Sequence, residues 1–415
     1  MTAAATAATA TNLTADEVAG LNAIDRPTKR DEAWRYAPHL ELDRLVFGAA
    51  AEPHGDLPAE VAEQIPAVAG HRILLVNGLV ATEHSRLDGL PESVAVSSLA
   101  EAADDRPELL EGTSAGGDVS ADAFDSLNAS FSSDGVVIDI QAGNAVETPL
   151  HIVHAVLPAQ PQNASCGRVV VNMGPGSSAT VFETRVGGGD EFGASNTRTT
   201  IRLDDEAALE HVVLQDAPEQ QIHLARVDVD QSAGSTFTAR SFNLGGLYGR
   251  LAYHVHLGGA GALADLSGLY FGFGDQILDQ QVTIVHATPD CTSRQSFRGV
   301  LDEESTGVFN GGIDVRPGAD GTEAEQSNAN LLLSRRAEAN TQPRLEILAD
   351  DVKCKHGATV GQLDEEALYY MRSRGIDADD ARRMLVAGFA DVFVDAVGDE
   401  AAQDWIRQRL RRGDG

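Results

Sequence analysis

Apolar and polar residues alternate in short runs over most of the chain between Gly135 and Gly361. A period of two marks a strand with one buried face. The clearest runs are Val136–Ile140, Arg168–Val171, Thr199–Leu203, Leu224–Val229 and Ala252–Leu257. Among them a second pattern recurs: a Gly- or Asp-rich turn, a small residue, then an apolar run. It occurs at Gly176–Ala179, Asp205–Ala208, Ser232–Ser235 and Gly259–Ala262, with steps of 29, 27 and 27 residues between the closing positions. A short repeat of strands and tight turns predicts a solenoid, and the absence of helices predicts a parallel β-helix. A β-sandwich shares the alternation and is the alternative. Solenoid ends need caps, and the flanking segments are expected to supply them.

Those flanks read as helical. Met1–Asn12 is low in complexity and expected to be disordered. Thr14–Glu17 is a capping box that opens a helix toward Asn22. Trp34 and Tyr36 are large anchors, and Pro38 ends any helix there. Arg72–Gly78 reads as a strand closed by an Asn-Gly turn, and residues 96–132 as acidic helix. Near the C-terminus, helices are expected over 363–374, 377–397 and 405–412, with Asp377 as an N-cap and Gly375 as a stop. Arg407, Arg409, Arg411 and Arg412 read as cations completing a helix C-terminus. The expected division is an N-terminal, mainly helical domain over 1–132, a β-helix core over 133–361 and a C-terminal helical domain over 362–415.

Charge narrows the class of partner. Against 63 acidic residues stand 31 basic ones, for a net charge of −32. Such a surface repels phosphate backbones, so nucleic acid is not expected as a partner. The acids are spread along the chain, and their mutual repulsion is relieved only by salt, so a salt-rich, halophile-like cytoplasm is expected. The three cysteines, Cys166, Cys291 and Cys354, are too few and too scattered for a disulfide framework. No apolar run reaches membrane-span length and no secretory leader is visible, so a cytoplasmic protein is expected.

Familiar catalytic motifs are missing. The glycine-rich Gly187–Gly193 precedes no helix and lacks the P-loop lysine, so it reads as a turn, and the chain is not expected to bind ATP. The pairs His254/His256 and His151/His154 are what chance supplies among twelve histidines. The stretch Asp351–Gly361 stands out, with one of the three cysteines, a histidine and two of the three lysines. As a strand it puts Val352, Cys354 and His356 on one face and Lys353 and Lys355 on the other. A thiol and an imidazole so placed can reach one metal ion or sulfur species, although metal sites usually take three or four ligands. The plainer alternative is a buried cysteine beside a hydrogen-bonded histidine. The lysines either favour the thiolate or are simply solvated.

Uncharged amide and hydroxyl residues thread the strands at His286–Gly299, Gly307–Gly311, Gln326–Leu333 and Ala337–Pro343, followed by Leu345–Ile347. In a β-helix such residues stack as ladders between coils. Together these segments, with Leu368–Ile376 and Leu385–Phe389, resemble the SufB/SufD family of iron–sulfur cluster assembly proteins. The resemblance implies a right-handed parallel β-helix flanked by helical regions, acting as a non-catalytic scaffold. It implies docking of the ABC-type ATPase SufC on the C-terminal helices, here Tyr369, Met371, Arg372, Arg374, Gly375, Leu385, Gly388 and Phe389. SufB-like chains carry a cysteine where this one has Ser327, and a Glu-His-Glu run where it has Lys355-His356-Gly357. The Lys-Cys-x-His-Gly form and Glu32–Tyr36 resemble SufD-like chains. That likeness implies that His356, with Cys354 beside it, helps complete a transient iron or cluster site shared with a SufB-like partner. The family is also associated with a reduced flavin. A SufB-like homodimeric scaffold is the alternative, opposed by Ser327. A β-helix polysaccharide enzyme would need a secretion signal.

Overall fold

The computed structural model describes residues 13–48, 57–110, 122–157, 162–189 and 191–411. The disorder expected of Met1–Asn12, and Arg412, lie outside these residues. The chain coils into a parallel β-solenoid of about 7 turns, mainly β, with helices before and after it. Successive strands alternate between two ten-stranded sheets. The five alternating runs are consecutive rungs of the first sheet: Val136 pairs with Val169, Val169 with Thr199, Thr199 with Val227, and Val227 with Tyr253. The turn-and-small-residue steps open consecutive rungs of the second, where Ala208 pairs with Ser178 and Thr236, and Thr236 with Leu263.

The pairing is therefore one residue longer in the first two steps than the small residues alone indicate. What keeps register is the left-handed residue of each turn. Gly143, Gly176, Glu206, Gly234, Gly261, Asp290 and Gly321 all have φ between 60° and 76°. The N–H of each from Gly176 on donates to the carbonyl just before or at the matching turn of the next coil, for example Gly176 to Asp205 at 2.8 Å and Glu206 to Ala233 at 2.8 Å. Glycine reaches this conformation freely, whereas Glu206 and Asp290 reach it at a cost offset by the stacked bonds.

Ile138, Val171, Ile201, Val229, Phe237 and Leu266 fill the interior with other aliphatic and aromatic side chains. Toward the last coils the interior also holds the rings of Tyr270 and Phe297. Gly299 and Gly268 make room for them, since a Cβ at either would run into those rings.

The helical flanks cover the outsides of the two sheets. Trp34, Leu42, Phe47, Phe124, Leu127 and Phe131 pack on the first sheet around Cys166, Leu224 and Tyr248. Helices Ala378–Val394 and Glu400–Leu410 pack on the second sheet, with Phe393, Val394, Trp405 and Ile406 against Phe182, Phe242, Leu269 and Val300. Arg409 is buried and binds Asp216 at 2.8 Å, so it ties the last helix to the solenoid rather than merely completing a helix end.

Several expectations change. Residues 94–98 are a strand antiparallel to Val136–Ile140, and among the described residues helix follows over Leu99–Asp105, as a 3-10 helix over Pro107–Leu110, and over Ala123–Phe131. Val94 and Val96 pair with Ile140 and Ile138, so sheet pairing overrides local helix preference here. His71–Val76 pairs in parallel with Leu150–Val156, so N-terminal residues already belong to the sheet. Pro38 starts the short helix His39–Asp43 instead of only ending one. The last helix begins at Glu400, N-capped by Asp399. Most consequential, the C-terminal helices do not cap the end of the coil. The final strands, Glu338–Ile347 and Val352–Gly361, end the two sheets side by side and are largely exposed.

Candidate site at the open end of the solenoid

Val352–Gly361 pairs on one side only, with Thr322–Leu332. Its register puts Cys354 over Ala324, His356 over Gln326, Lys353 over Glu323 and Lys355 over Glu325. Ala324 belongs to a small core with Ile313 and Val315, against which Cys354 packs. Cys354 and His356 therefore lie on the interior-facing side of the strand, with Cα atoms about 6.6 Å apart. Cys354 is half-buried and His356 exposed. Among the described residues the other two cysteines, Cys166 and Cys291, are buried.

The lysines point the other way. Lys353 Nζ lies 2.6 Å from Glu323, and Lys355 Nζ 2.9 Å from Glu325. Their charge is answered across the ladder and does not activate the thiol. Burial pushes the Cys354 thiol up, only partly opposed by a hydrogen bond with the Ala324 backbone. Of the two readings of the lysines, the solvated, ion-paired one holds. The acids they pair with are 30 residues earlier, one coil back, an offset visible only once the repeat is extended to the end of the chain.

Other named residues are dispersed. Ser327 faces outward, exposed, in register with Gly357 and with its Oγ 3.4 Å from Ser296 Oγ, a rung of a hydroxyl ladder. His151 and His154 are separated by the sheet: His151 bonds Thr184 Oγ1 at 2.8 Å, while His154 lies inside, 3.3 Å from Glu183. His256 is 3.3 Å from Asp230. Gly187 ends one strand and Gly193 begins the next, while Asp190 between them lies outside the described residues, and with it the turn expected there.

On the helix Glu365–Ser373, Tyr369 is 76 % exposed and Met371 half-buried. Arg372, Arg374 and Gly375 are exposed, and Gly375 has φ 87° where that helix stops. Leu385 is half-buried and Gly388 exposed. Phe389 is held to the solenoid by the Arg298 guanidinium, 4.9 Å from its ring centre.

Chemically, the open end offers one imidazole, one thiol and two sheet edges with unpaired backbone groups. Thiolate and imidazole suit iron and iron–sulfur clusters, and the serine hydroxyl does not. Two such donors fit part of a cluster's ligand set, and among the described residues no group of three or more histidine, cysteine or carboxylate side chains is placed to hold a metal ion.

Comparison with known proteins shows the family of the chain. Residues 156–389 match the SUF system FeS cluster assembly SufBD core domain, and residues 7–152 match the SufBD protein N-terminal region. The chain is 29% identical to the iron–sulfur cluster assembly protein SufD of Escherichia coli, over 92% of this chain and 88% of that one. It is 28% identical to a SufBD family protein of Synechocystis, over 94% of this chain and 87% of that one. A 34% identical stretch covers 38% of this chain and 36% of SufD from Bacillus subtilis. With its β-solenoid and both family domains, this chain belongs to the SufBD family of iron–sulfur cluster assembly proteins.

Proposed function

We propose that the chain is the SufD-like, non-catalytic subunit of an assembly complex, paired with a SufB-like protein through the open end of its solenoid. The carrying observation is that the uncovered last rung bears the partly accessible Cys354 beside the exposed His356. Two adjacent free edges are ready templates for strand pairing with a second solenoid. Such pairing brings His356 and Cys354 against a partner that supplies the missing ligands to iron or a nascent cluster, here the cargo. Ser327 lies on the opposite face of the sheet from His356, which disfavours a SufB-like homodimeric scaffold. In this reading the SufC-like ATPase docks on the exposed surface around Tyr369, Met371, Arg372, Arg374, Gly375, Leu385, Gly388 and Phe389. The family's reduced flavin belongs to the assembled complex.

The test is co-expression with candidate SufB and SufC proteins, followed by iron and sulfide counts on the purified complex. His356→Ala is expected to lose most of the cluster and Cys354→Ala a smaller part. Full cluster content in both variants overturns the assignment.

The reading places the complex in a salt-rich cytosol. Among the described residues no helix is long and apolar enough to cross a membrane. With a net charge of −32, the melting temperature is expected to rise as salt goes from about 0.1 to 2 M, where the screening length falls from about 10 Å to below 3 Å. A melting temperature indifferent to salt removes the halophilic part of the proposal.

A further inference from the structure

We propose that Gln326 is a positioning residue for His356: its amide oxygen accepts a hydrogen bond from one ring nitrogen and leaves the other as the free lone pair. The inference rests on the reading of His356 as a ligand, but its geometry can be tested independently.

The argument begins with a column of side chains inside the solenoid. Gln295, Gln326 and His356 are in register on three successive rungs of the second sheet, all on the interior-facing side. Gln295 and Gln326 are buried, at 1% and 2% exposure. Their amides form a directional chain. Gln295 Nε2 donates to the Gly312 carbonyl at 3.3 Å, which turns Gln295 Oε1 toward the next rung. Gln326 Nε2 donates to that Oε1 at 2.7 Å. The orientation of the Gln326 amide is thereby fixed by its neighbours, because the reverse orientation would set two carbonyl oxygens against each other. The chain ends at Gln326 Oε1, an acceptor shielded from water and without a partner. Such an atom carries a desolvation penalty until a donor reaches it. The next side chain in the column is His356.

An imidazole that donates one N–H to an acceptor has its tautomer set, and the other nitrogen is then the unprotonated one that binds a metal. Iron-binding histidines need such an outer partner to hold ring orientation and basicity. Gln326 meets that need from inside the coil, while the exposed side of His356 remains open to a partner chain. The neutral amide also fits a site where cargo must be released, since it orients the ring without adding charge.

The test uses the full chain labelled with ¹⁵N only at histidine. A ring N–H held in a hydrogen bond exchanges slowly enough to be seen, whereas an unbonded one on an exposed ring does not. His356 is expected to give one such signal in the wild type, identified by its loss in His356→Ala. It should vanish in Gln326→Leu, which keeps the bulk of the side chain but offers no acceptor. The ring signals of His151 and His286, bonded to Thr184 and Ser293 at 2.8 Å each, report whether the fold is intact in every variant. In the assembled complex, Gln326→Leu should weaken ferrous iron binding about 10–100-fold. A His356 signal unchanged in Gln326→Leu, or absent in the wild type, overturns the proposal. If His356→Ala leaves iron binding untouched while the N–H signal behaves as expected, the ligand reading falls and the hydrogen bond stands.

Discussion

Glu183→Ala is expected to lower the unfolding free energy by about 3–5 kcal/mol, the loss typical of breaking a buried ion pair from one side. Glu183 is wholly buried inside the solenoid. It accepts from Arg185 Nη2 at 2.6 Å, Thr199 Oγ1 at 2.7 Å and His211 Nε2 at 3.0 Å, and His154 Nε2 lies 3.3 Å away. Thr199 comes from the first sheet, and His154 and His211 from the coils before and after, so this carboxylate ties both sheets and three coils together. Burial by itself raises a carboxyl, yet the Arg185 guanidinium and the bonds from His154 and His211 hold Glu183 well below the usual range. Removing it leaves the Arg185 charge buried and unanswered. Denaturant unfolding of the single variant, compared with Glu183→Leu/Arg185→Met, checks the cause. The double variant replaces both charges with apolar groups and should recover most of the loss. A single-variant loss below about 1 kcal/mol would mean that water reaches Arg185.

The alternation that announces the solenoid is a local property, and so it was legible: residues such as Val136, Ile138 and Ile140 must share a face in any half-buried strand. Register was less so, because it follows the left-handed turn residues, and Glu206 and Asp290 do not advertise that role as glycine does. The uncovered end was hidden for a different reason. Phe393, Val394 and Trp405 show that the last helices pack on something, but whether that is the end of the coil or its flank depends on Phe182 and Phe242, far back in the chain. The site divides in the same way. Alternation placed Cys354 with His356 and apart from the lysines. The glutamates that answer those lysines and the glutamine beneath His356 come from the previous coil. Ser327 next to Gln326 could be named from the segment, but that the two face opposite sides of the sheet with respect to His356 needs the pairing of Thr322–Leu332 with the last rung. The cost of misjudging such long-range partners is visible at Cys354, whose thiol is pushed up although two lysines flank it in sequence.

Acidification below about pH 6.5, the ordinary histidine value, is expected to destabilise the protein steeply, ahead of any titration of Glu183. Burial holds His151 down to about 3 and His286 to about 4, and it also lowers His154 and His223. In the unfolded chain each takes up its proton near pH 6.5, whereas the native protein excludes it. The unfolded state therefore binds more protons between pH 6.5 and about 4, and stability falls with pH by about 1.4 kcal/mol per unit for each such histidine. Glu183 adds to the loss only at lower pH, because its stabilisation is present above the ordinary carboxyl value and disappears as pH falls through its depressed one. The acidic surface acts in the opposite sense, since protonating carboxylates relieves repulsion within a chain of net charge −32. Molar salt separates the two effects: it shortens screening to about 3 Å and suppresses the surface contribution, while buried groups are little affected. Unfolding free energies measured in about 1 M salt between pH 7 and 4 should still fall on acidification. His286→Gln, which keeps a donor toward Ser293, should flatten that slope by about 1.4 kcal/mol per unit. An unchanged slope in this variant would show that His286 takes up its proton in the native state and that the coil around it opens to water.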